Sequence, residues 1–525
     1  MRQPEQLRLQ LDQPGQRFEQ RRIGIVLEEM HLVVEDELVG ERVAAALGLR
    51  QILSLAVGNL EMRAEAVVQR LERGRHAGRA TWPPRHHAKR GGGDNSYAGF
   101  DKQQAAVCLS QAERGALMVK VTRRSVIAGA SLALARPAAG ALPRGFDTIV
   151  VGAGVFGAWT ATRLQAAGQR VALVDAWGPA HARAASGGET RMTRAAYGAD
   201  RIYSQMAASS LADWQALSAR ASQPLFHQAG VLFFFPKADA YVEGTVAMHR
   251  ALGLPTVVLT GAEMARRWPQ VDFTGSDIGL FEPQFGALMA RRSVQALVAE
   301  FTARGGVLLR EAVLPLAGAM TDGIVTRSGT RLTAANYVFA CGPWLPKLFP
   351  ALLGRRIFPT RQEVFFFAPP AGDARFMAPA LPGWADFNGG DITYGFPDIE
   401  NRGFKLAFDR HGPPIDPDVG DRIASAAGIA EARRYLARRF PALAGVQLVE
   451  TRVCQYENSG NGDFLVDRHP DARHVVLVGA GSGHGFKHGP AVGTLATRLV
   501  LDATATAEPR FTLASKATVE ARAVH

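Results

Sequence analysis

Residues 146–157 read FDTIVVGAGVFG, and this stretch decides the fold. The apolar, β-branched run FDTIVV predicts a strand, and the stretch AWTATRLQAAG that follows the glycines predicts a helix that ends at Gly168. The next segment, RVALVD at 170–175, predicts a second strand that ends in an acid. Strand, glycine-rich turn, helix, strand and acid, in this order, are typical of a dinucleotide-binding βαβ unit.

Each part of this motif has a chemical task in holding a dinucleotide. Gly152 allows the tight turn, Gly154 lets the backbone approach a pyrophosphate, and Gly157 lets the helix pack closely on the strand. The helix N-terminus supplies N–H donors and a partial positive charge for the phosphates. Asp175 lies about 20 residues beyond the glycines and is predicted to accept hydrogen bonds from a ribose hydroxyl. The motif alone does not separate NAD from FAD, and a βαβ turn without a ligand is the alternative.

A second glycine-rich junction, far along the chain, favours FAD. Residues 475–481 read VVLVGAG, which predicts a buried strand that runs into a glycine turn at Gly481, and the helical stretch PAVGTLATRLVL follows at 490–501. Between the two junctions, YVFA at 337–340 predicts a further strand that ends in a glycine turn. The alternation of helix and strand patterns predicts an α/β domain interrupted by insertions. Two junctions so far apart indicate a cofactor long enough to touch both ends of that domain.

Composition excludes several classes of protein. The chain has 525 residues, which allows two to four domains, and its 47% hydrophobic and 21% charged residues exclude a wholly disordered chain, a fibrous repeat and a polytopic membrane protein. The formal net charge is +12, but the excess is rich in arginine and spread along the chain, and no nucleic-acid-binding signature accompanies it. We therefore predict no nucleic-acid partner. Three cysteines are too few for a disulfide scaffold, and the pair His86-His87 has no third ligand near it, so no metal site is predicted.

The first 145 residues differ from the rest of the chain. Residues 1–117 hold polar stretches rich in Gln and Arg, whereas residues 118–145 combine the pair Arg123-Arg124, an apolar run and a small-residue stretch, AGA. This order is similar to a twin-arginine export signal, with an amphipathic helix as the alternative. The apolar run is shorter than the roughly 20 residues that span a bilayer, so no stable membrane span is predicted. We expect Met118 to be the true initiator and residues 1–117 to be a doubtful extension that is not translated. The predicted location is periplasmic or extracellular if the signal is genuine, and cytoplasmic otherwise.

Several short motifs follow one another between about 146 and 501. They are ETRMTRAAYG at 189–198, FEP at 281–283, YGFP at 394–397, GFK at 403–405, VCQY at 453–456 and SGHGFK at 482–487. Several motifs in one order are far more specific than any one of them, and this part of the chain resembles the monomeric sarcosine oxidase family, within the wider D-amino-acid-oxidase-like flavoproteins. The resemblance implies an α/β (α+β) fold, in which a Rossmann-like FAD-binding domain carries an inserted, mostly antiparallel-sheet substrate domain.

The resemblance also implies domain boundaries. The FAD-binding domain is expected to comprise residues 146–228, 290–360 and 445–505. The substrate domain is expected to comprise residues 229–289 and 361–444. Residues 506–525 are expected to form a C-terminal tail.

Site residues are implied where this chain matches the family's motifs. Cys454 matches the cysteine that carries FAD through a thioether, although a free cysteine is more often a small buried hydrophobic residue. Lys405 matches the lysine beside the flavin where oxygen is reduced, because a fixed positive charge stabilises superoxide. Arg194 and Lys487 match the pair that holds the substrate carboxylate, the first through a planar two-point contact and the second through a point charge.

The remaining matches complete the implied site. Arg191 matches an arginine near the flavin ring, and Lys405, Arg191 and His484 form the predicted catalytic set. Tyr394 and Tyr456 match residues of the substrate pocket, as does His484, and Thr190 belongs to the cofactor-binding segment. Gly187 stands where members of the family often have His, a difference that bears on substrate preference and not on the fold.

The activity implied is oxidation of an amine α to a carboxylate by FAD, to an imine, with reoxidation by O2 to hydrogen peroxide. Sarcosine or a related secondary or N-methyl amino acid is the implied substrate, and a monomer is the implied state. Pipecolate, N-methyltryptophan and glycated amino acids are alternatives within the same fold family. A nicotinamide-dependent dehydrogenase and a flavin-binding protein without enzymatic activity are alternatives from other classes.

Overall fold

The computed structural model describes residues 145–316 and 323–518. The predicted extension at 1–117 and the candidate export signal at 118–145 lie outside the described residues, apart from Gly145. Within the described ranges, no helix is both long enough and apolar enough to span a bilayer.

The described residues form both helices and strands. The strands are β1 (Phe146–Val151), β2 (Val171–Val174), β3 (Thr190–Thr193), β4 (Phe226–His227), β5 (Val231–Phe235), β6 (Val257–Thr260), β7 (Ile278–Glu282), β8 (Gly286–Met289), β9 (Val307–Leu309), β10 (Ile324–Val325), β11 (Arg331–Leu332), β12 (Ala334–Phe339), β13 (Ile357–Phe367), β14 (Gly383–Asp386), β15 (Thr393–Phe396), β16 (Phe404–Phe408), β17 (Leu448–Ser459), β18 (Leu465–His469) and β19 (Ala472–Gly479). The helices are α1 (Val155–Ala166), α2 (Arg201–Arg220), α3 (Ala240–Leu252), α4 (Gly261–Arg267), α5 (Ala290–Ala303), α6 (Leu345–Leu348), α7 (Pro350–Leu353), α8 (Ala426–Arg439) and α9 (Gly489–Leu501).

A six-stranded sheet contains the glycine-rich motif. Its order is β18-β19-β12-β1-β2-β9, and every neighbouring pair is parallel except β18 with β19. The inner parts of its central strands, residues 149–151, 171–174 and 337–339, are buried and apolar, because both faces of the sheet are covered. On β1, Val150 belongs to the core formed with α1, α5 and α9, whereas Ile149 and Val151 belong to the core formed with α6 and α7. This parallel sheet, with its βαβ unit at the centre, confirms the predicted fold class.

An eight-stranded sheet forms the second layer of the fold. Its order is β17-β13-β16-β15-β14-β5-β7-β6, and every neighbouring pair is antiparallel except β14 with β5. Helix α8 covers one face, where Leu436 packs among aromatic side chains of the sheet. Residues 448–459, which fall in the predicted FAD-binding segment 445–505, form β17 of this sheet. The predicted domain boundaries themselves stay a prediction.

One buried ion pair fastens α8 to this sheet. Asp386, at the end of β14, accepts hydrogen bonds from Arg439 Nε at 2.8 Å and from the Tyr435 hydroxyl at 2.9 Å. Asp386 and Arg439 are 2% and 4% exposed, so the pair is removed from water. Removal of either residue would leave a buried charge without its ion-pair partner. Two small sheets, β3-β8-β4 and β10-β11, complete the strand pairing.

Candidate cofactor and substrate site

A cavity of about 700 Å³ opens at the carboxyl ends of the parallel strands. Its lining includes Gly152 after β1, Asp175 after β2, Cys341 after β12 and Gly481 after β19. Ligands of open α/β sheets bind in this position, outside the carboxyl ends of the strands. Gly152, Gly154, Asp175 and Gly481, which the sequence predicted to bind the cofactor, therefore lie around one cavity.

The glycine turn is fixed by two close backbone approaches. Gly152 has φ +104°, and a Cβ at this residue would lie 2.3 Å from the carbonyl oxygen of Ala340. A Cβ at Gly157 would lie 1.9 Å from the carbonyl oxygen of Gly152. Gly157 is not among the residues that line the cavity, so its part is to pack α1 against the turn, as its place in the motif predicted.

Gly154 faces the cavity at the start of α1. It is the N-cap residue of that helix and has extended backbone angles, φ −77° and ψ −175°. The one atom that a Cβ here would meet within 4 Å is Ser186 Oγ, at 3.5 Å. Ser186 Oγ accepts a hydrogen bond from the Val155 N–H at 3.0 Å, which makes Ser186 part of the same turn. No motif in the sequence singled out Ser186.

Asp175 organises the turn as well as lining the cavity. Its carboxylate accepts hydrogen bonds from the backbone N–H groups of Ala153 at 2.8 Å, Trp177 at 2.9 Å and Gly178 at 2.8 Å. The motif predicted a contact to a ribose hydroxyl, and that contact stays a prediction. The structure adds a second task, because Asp175 ties the glycine turn to the segment that follows β2.

Glu457 is a residue of this cavity that sequence reasoning missed. It is 6% exposed, and its Oε1 accepts a hydrogen bond from the Gly481 N–H at 3.3 Å. Its Oε2 is buried and has no hydrogen-bond partner within the described ranges. Burial raises the pKa of Glu457 to about 7, because the charged form has lost its hydration. The only hint in the sequence is that Glu457 directly follows the VCQY motif.

These residues fit FAD. The orphaned Glu457 oxygen suits a hydroxyl or imide N–H donor, the start of α1 suits a diphosphate, and Gly152 and Gly154 keep side chains out of the space between them. Aromatic rings line the same cavity: the centroid of Trp177 lies 4.6 Å from that of His181 and 5.0 Å from that of Trp344. Flat aromatic surfaces of this kind suit the rings of a dinucleotide.

A second, smaller cavity of about 80 Å³ adjoins the first. Four residues line both cavities: Arg191, Tyr456, Gly483 and Phe486. The small cavity brings together most of the predicted catalytic and substrate-binding residues. They are Arg191, Arg194, Tyr394, Tyr456, His484 and Lys487, and Cys454, which was predicted to carry the cofactor, lines the same cavity.

Strand register explains why residues so distant in sequence share this place. Gln362 on β13 pairs with Cys454 on β17, and Val364, two residues further along β13, pairs with Ala407 on β16. Ala407 in turn pairs with Tyr394 on β15. Paired residues and residues two apart lie on the same face of a sheet. Cys454, Tyr456, Lys405 and Tyr394 therefore all belong to one face of the eight-stranded sheet.

Two buried cations lie against one tyrosine in the small cavity. The guanidinium carbon of Arg194 lies 4.1 Å from the ring centroid of Tyr197, and Lys487 Nζ lies 5.0 Å from it. Arg194 also donates to the carbonyl oxygen of Ala196, and Lys487 donates to that of His484 at 3.0 Å. Arg194 and Lys487 are 9% and 5% exposed, so an anion bound here meets two positive charges in a poorly screened environment. Tyr197 was not predicted as a site residue. The one hint in the sequence is that it belongs to the ETRMTRAAYG motif.

Cys454 lies beside Arg191 where the two cavities meet. Arg191 Nη2 is 3.9 Å from Cys454 Sγ, and the same guanidinium donates to the carbonyl oxygens of Ala185 at 2.9 Å and Thr190 at 3.0 Å. Cys454 is a free thiol and is 8% exposed. Its position next to the large cavity allows contact with a cofactor bound there, whereas the thioether itself stays a prediction.

Lys405 is buried behind this junction. Its Nζ donates to the carbonyl oxygen of Thr190 at 2.7 Å and lies 5.3 Å from the ring centroid of Phe396. Burial, and then the charge of Arg191, lower the pKa of Lys405 well below its ordinary value. This direction opposes the permanent positive charge that the sequence predicted. Neither Lys405 nor Thr190 is among the lining residues of the two cavities, and Thr190 contributes a backbone acceptor to this arrangement.

Metal ligation has no support in the described part of the chain. Within it, no group of three or more His, Cys, Asp or Glu side chains is arranged to hold a metal ion.

A parallel sheet that opens on a glycine-lined cavity, beside a small cavity with buried cations, is typical of a dinucleotide-binding protein with a neighbouring site for an anionic ligand. Comparison with known proteins identifies the particular family. A family model described as DAO, FAD dependent oxidoreductase, matches residues 147–499. The chain belongs to this family and is an FAD-dependent oxidoreductase, which confirms the family resemblance seen in the sequence.

Characterised relatives cover most of the described residues. The chain is 31% identical over 362 residues to the monomeric sarcosine oxidase of Bacillus sp. (strain B-0618), a match that covers 68% of this chain and 92% of the relative. It is 28% identical over 366 residues to the N-methyl-L-tryptophan oxidase of Salmonella arizonae, with 68% of this chain and 95% of the relative covered.

Solved structures share the fold. The L-proline dehydrogenase of P. horikoshii has a TM-score of 0.62 at 19% identity, over 71% of this chain and 98% of that one. NikD, an amino acid oxidase of nikkomycin biosynthesis, has a TM-score of 0.58 at 22% identity, over 73% of this chain and 99% of that one. At these identities, the likeness concerns the fold alone.

Proposed function

We propose that this protein oxidises the C–N bond of sarcosine or of a related secondary or N-methyl amino acid to an imine. The observation that carries the proposal is the pair of buried cations, Arg194 and Lys487, in a small cavity that adjoins the cofactor cavity. A pair of this kind recognises a carboxylate, and the adjoining space recognises the carbon and nitrogen next to it. The relatives named sarcosine oxidase and N-methyltryptophan oxidase support an amine as the reacting group.

The chain's own residues bind and orient the substrate in this proposal. Arg194 offers a planar fork to the carboxylate and Lys487 adds a point charge. Tyr394 and Tyr456 line the cavity and Phe387 adds apolar surface. This partly desolvated lining favours the neutral amine, which alone can give up electrons. Bound FAD would supply the acceptor for the hydride equivalent that leaves the carbon next to nitrogen. The imine is then hydrolysed in water.

We further propose that Cys454 carries the cofactor covalently and that Lys405 acts where O2 accepts the electrons and hydrogen peroxide forms. The position of Cys454 beside Arg191 supports the first. The buried amino group of Lys405, close to Arg191 and Thr190, supports the second, since a neighbouring anionic cofactor would favour its charged form. A monomeric state and export through the twin-arginine route belong to the same proposal.

The test is an anaerobic titration of the purified protein with a panel of amines, followed by exposure to air. Sarcosine, N-methyltryptophan, pipecolate and a glycated amino acid are compared, with bleaching of the yellow colour and peroxide as readouts. We expect one of them to bleach the flavin and Arg194→Met to weaken its apparent affinity. A flavoprotein that no amine in the panel reduces would contradict the proposal.

The covalent link has an independent test. Mass spectrometry of the peptide that contains Cys454 is expected to show the added mass of the flavin, and the colour is expected to stay with the protein after acid precipitation. Cys454→Ser is the matched control, because it keeps a similar small side chain and lacks the thiol. An unmodified Cys454 in yellow protein would refute covalent attachment.

A further inference from the structure

His488 is a buried histidine that the proposed chemistry does not use. It follows directly after Lys487, is 0% exposed, and its Nε2 lies 2.8 Å from the hydroxyl oxygen of Tyr197. His488 is not among the lining residues of either cavity, so any effect that it has on a bound substrate must pass through another residue. Tyr197 is that residue, because the two cations of the small cavity, Arg194 and Lys487, lie against its ring.

The Tyr197 hydroxyl lies between two histidines, His484 and His488. His484 Nδ1 is 3.1 Å from the hydroxyl oxygen, and His488 Nε2 is 2.8 Å from it. The other nitrogen of His484, Nε2, lies 3.2 Å from the carbonyl oxygen of Gly462, which only accepts, so this nitrogen carries a hydrogen. In its neutral form, His484 therefore accepts at Nδ1. The single hydrogen of the Tyr197 hydroxyl then points to His484, and the hydroxyl oxygen accepts from His488 Nε2–H.

His488 suits this donor role because it is neutral. Burial, and then the charge of Lys487, lower the pKa of His488 well below its ordinary value. A neutral imidazole has one N–H, which the contacts of Tyr197 place on Nε2. The other nitrogen of His488, Nδ1, is buried and has no hydrogen-bond partner within residues 145–316 and 323–518. His488 therefore gives Tyr197 one hydrogen bond and adds no charge beside the two cations.

The Tyr197 ring connects this hydrogen bond to the proposed carboxylate site. The guanidinium carbon of Arg194 lies 4.1 Å from the ring centroid, and Lys487 Nζ lies 5.0 Å from it. Attraction between a cation and an aromatic ring depends on the position of the ring, so a displaced Tyr197 would no longer hold both cations where they line the small cavity. The segment that carries Lys487 and His488 is itself anchored, since Trp214 Nε1 donates to the Lys487 carbonyl oxygen at 2.8 Å.

We propose that His488 is a positioning residue for the substrate carboxylate: its hydrogen bond to Tyr197 holds the ring in the place from which Arg194 and Lys487 converge on the small cavity. This inference rests on the proposed function and adds to it a residue outside both cavities. His488 acts on the binding of the carboxylate. The oxidation step, which takes place at the amine and the flavin, is expected to change little when the hydrogen bond is lost.

The experiment compares acetate with acetamide in the FAD-loaded protein. The two ligands have nearly the same shape, but only acetate is an anion. Dissociation constants are measured by calorimetry and by the absorbance change of the bound flavin, neither of which requires turnover. We expect the wild type to bind acetate about tenfold more tightly than acetamide or better, the range of a charge-assisted contact. His488→Leu removes the hydrogen bond and keeps an apolar side chain, and it should weaken acetate binding about fivefold while acetamide binding changes less than twofold.

Two further variants test whether His488 acts through the Tyr197 hydroxyl. His488→Gln offers an amide N–H in place of Nε2–H and is expected to restore acetate binding to within about twofold of the wild type. Tyr197→Phe removes the hydroxyl and is expected to weaken acetate binding at least as much as His488→Leu does. Adding His488→Leu to Tyr197→Phe should then have no further effect, because the hydrogen bond is already absent.

Leu499→Ala is the matched structural control. Leu499 is 3% exposed and lies near the end of α9, eleven residues beyond His488. Its truncation leaves a cavity in the core, so thermal unfolding is expected at a lower temperature, while the ratio of acetate to acetamide affinity stays that of the wild type. With an amine that reduces the flavin, anaerobic stopped-flow kinetics of His488→Leu should show a raised apparent dissociation constant and a limiting rate of reduction within about twofold of the wild type.

The inference is overturned if His488→Leu binds acetate like the wild type, if it weakens acetate and acetamide equally, if His488→Gln folds but fails to restore acetate binding, or if the effects of Tyr197→Phe and His488→Leu add. Should His488→Leu not fold, a folded Tyr197→Phe variant that binds acetate as tightly as the wild type overturns it as well. Failure of the proposed function gives a different result, since no amine would then reduce the flavin of the wild type, whereas acetate and acetamide binding can still be compared.

Discussion

Replacing Gly154 by Ala should weaken FAD binding without weakening the fold. The backbone angles of Gly154 suit any residue, and the added Cβ would meet only Ser186 Oγ, at 3.5 Å. Ala is a poorer N-cap than Gly, but it also restricts the unfolded chain, and each effect is about 1 kcal/mol or less. These two effects oppose each other, so the free energy of unfolding of the apoprotein should change by less than about 1 kcal/mol.

The cost should appear in the cofactor affinity. A methyl group at Gly154 enters the cavity at the start of α1, where the backbone N–H groups are predicted to contact the diphosphate. Loss of one charge-assisted hydrogen bond costs about 1.5–3 kcal/mol, which is roughly a 10- to 150-fold weaker affinity. Gly157→Ala provides the contrast, because its Cβ would lie 1.9 Å from the Gly152 carbonyl oxygen, and it should destabilise the apoprotein itself.

The assay is titration of apoprotein with FAD, followed by fluorescence quenching, in a Cys454→Ser background so that binding is reversible. Urea unfolding of the same apoproteins gives their stability. Gly389→Ala is the control, because its Cβ has no neighbour closer than 3.8 Å and the residue lies outside both cavities. The reasoning is refuted if Gly154→Ala binds FAD as tightly as its parent, or if its stability falls as far as that of Gly157→Ala.

Three further predictions concern buried charges. Lys405→Met should slow reoxidation by O2 by about 100-fold or more, while reduction by amine changes little. Stopped-flow kinetics measure the two half-reactions separately, and equal slowing of both would contradict the role assigned to Lys405. Asp386→Ala should cost about 3–5 kcal/mol in urea unfolding because it leaves Arg439 charged and buried without its partner, and a cost below about 1 kcal/mol would contradict this. Burial raises the pKa of Glu282 to about 7 in the native state, whereas the pKa in the unfolded state is about 4.5. Between these two pH values the native state keeps a proton that the unfolded state releases. The free energy of unfolding therefore falls as the pH rises from about 4.5 through 7. Glu282→Gln should make that loss smaller by up to about 1.4 kcal/mol per pH unit, and identical slopes in pH-dependent urea unfolding would refute the assignment.

The part of the site that would hold the cofactor could be predicted because its backbone geometry is set by residues close together in sequence. The strand, the glycine turn and α1 follow one another within 146–166, and their geometry depends on local backbone sterics, as at Gly152 with its positive φ. The acid at the end of β2 follows from the same βαβ unit. Ser186 and Glu457 escaped prediction because each reaches the cavity from a separate segment, and their spacing in sequence carries no regular pattern.

The order of the motifs predicted which residues line the small cavity, but it did not predict the protonation of these residues. The matched residues Arg194, Lys487 and Cys454 do line one small cavity. The sequence predicted a fixed charge at Lys405, whereas burial beside Arg191 lowers its pKa, an effect that depends on depth and neighbours. Asp409 was not singled out, because a lone acid after a strand gives no sign of the cavity it will face.

By itself, the sequence determined the βαβ unit, the family and the residue types that a flavin-dependent oxidoreductase requires, because these depend on contacts within a few residues and on motifs that are read in order. Only the tertiary structure decided which side chains meet. Asp409, directly after β16, reaches Tyr456 on β17 because both strands pair with β13, whereas Arg191 reaches Cys454 from β3, a strand of another sheet. A shift of one residue in the register of β17 would turn Cys454 and Tyr456 to the other face, and register is set by burial across the whole sheet and not by any local segment.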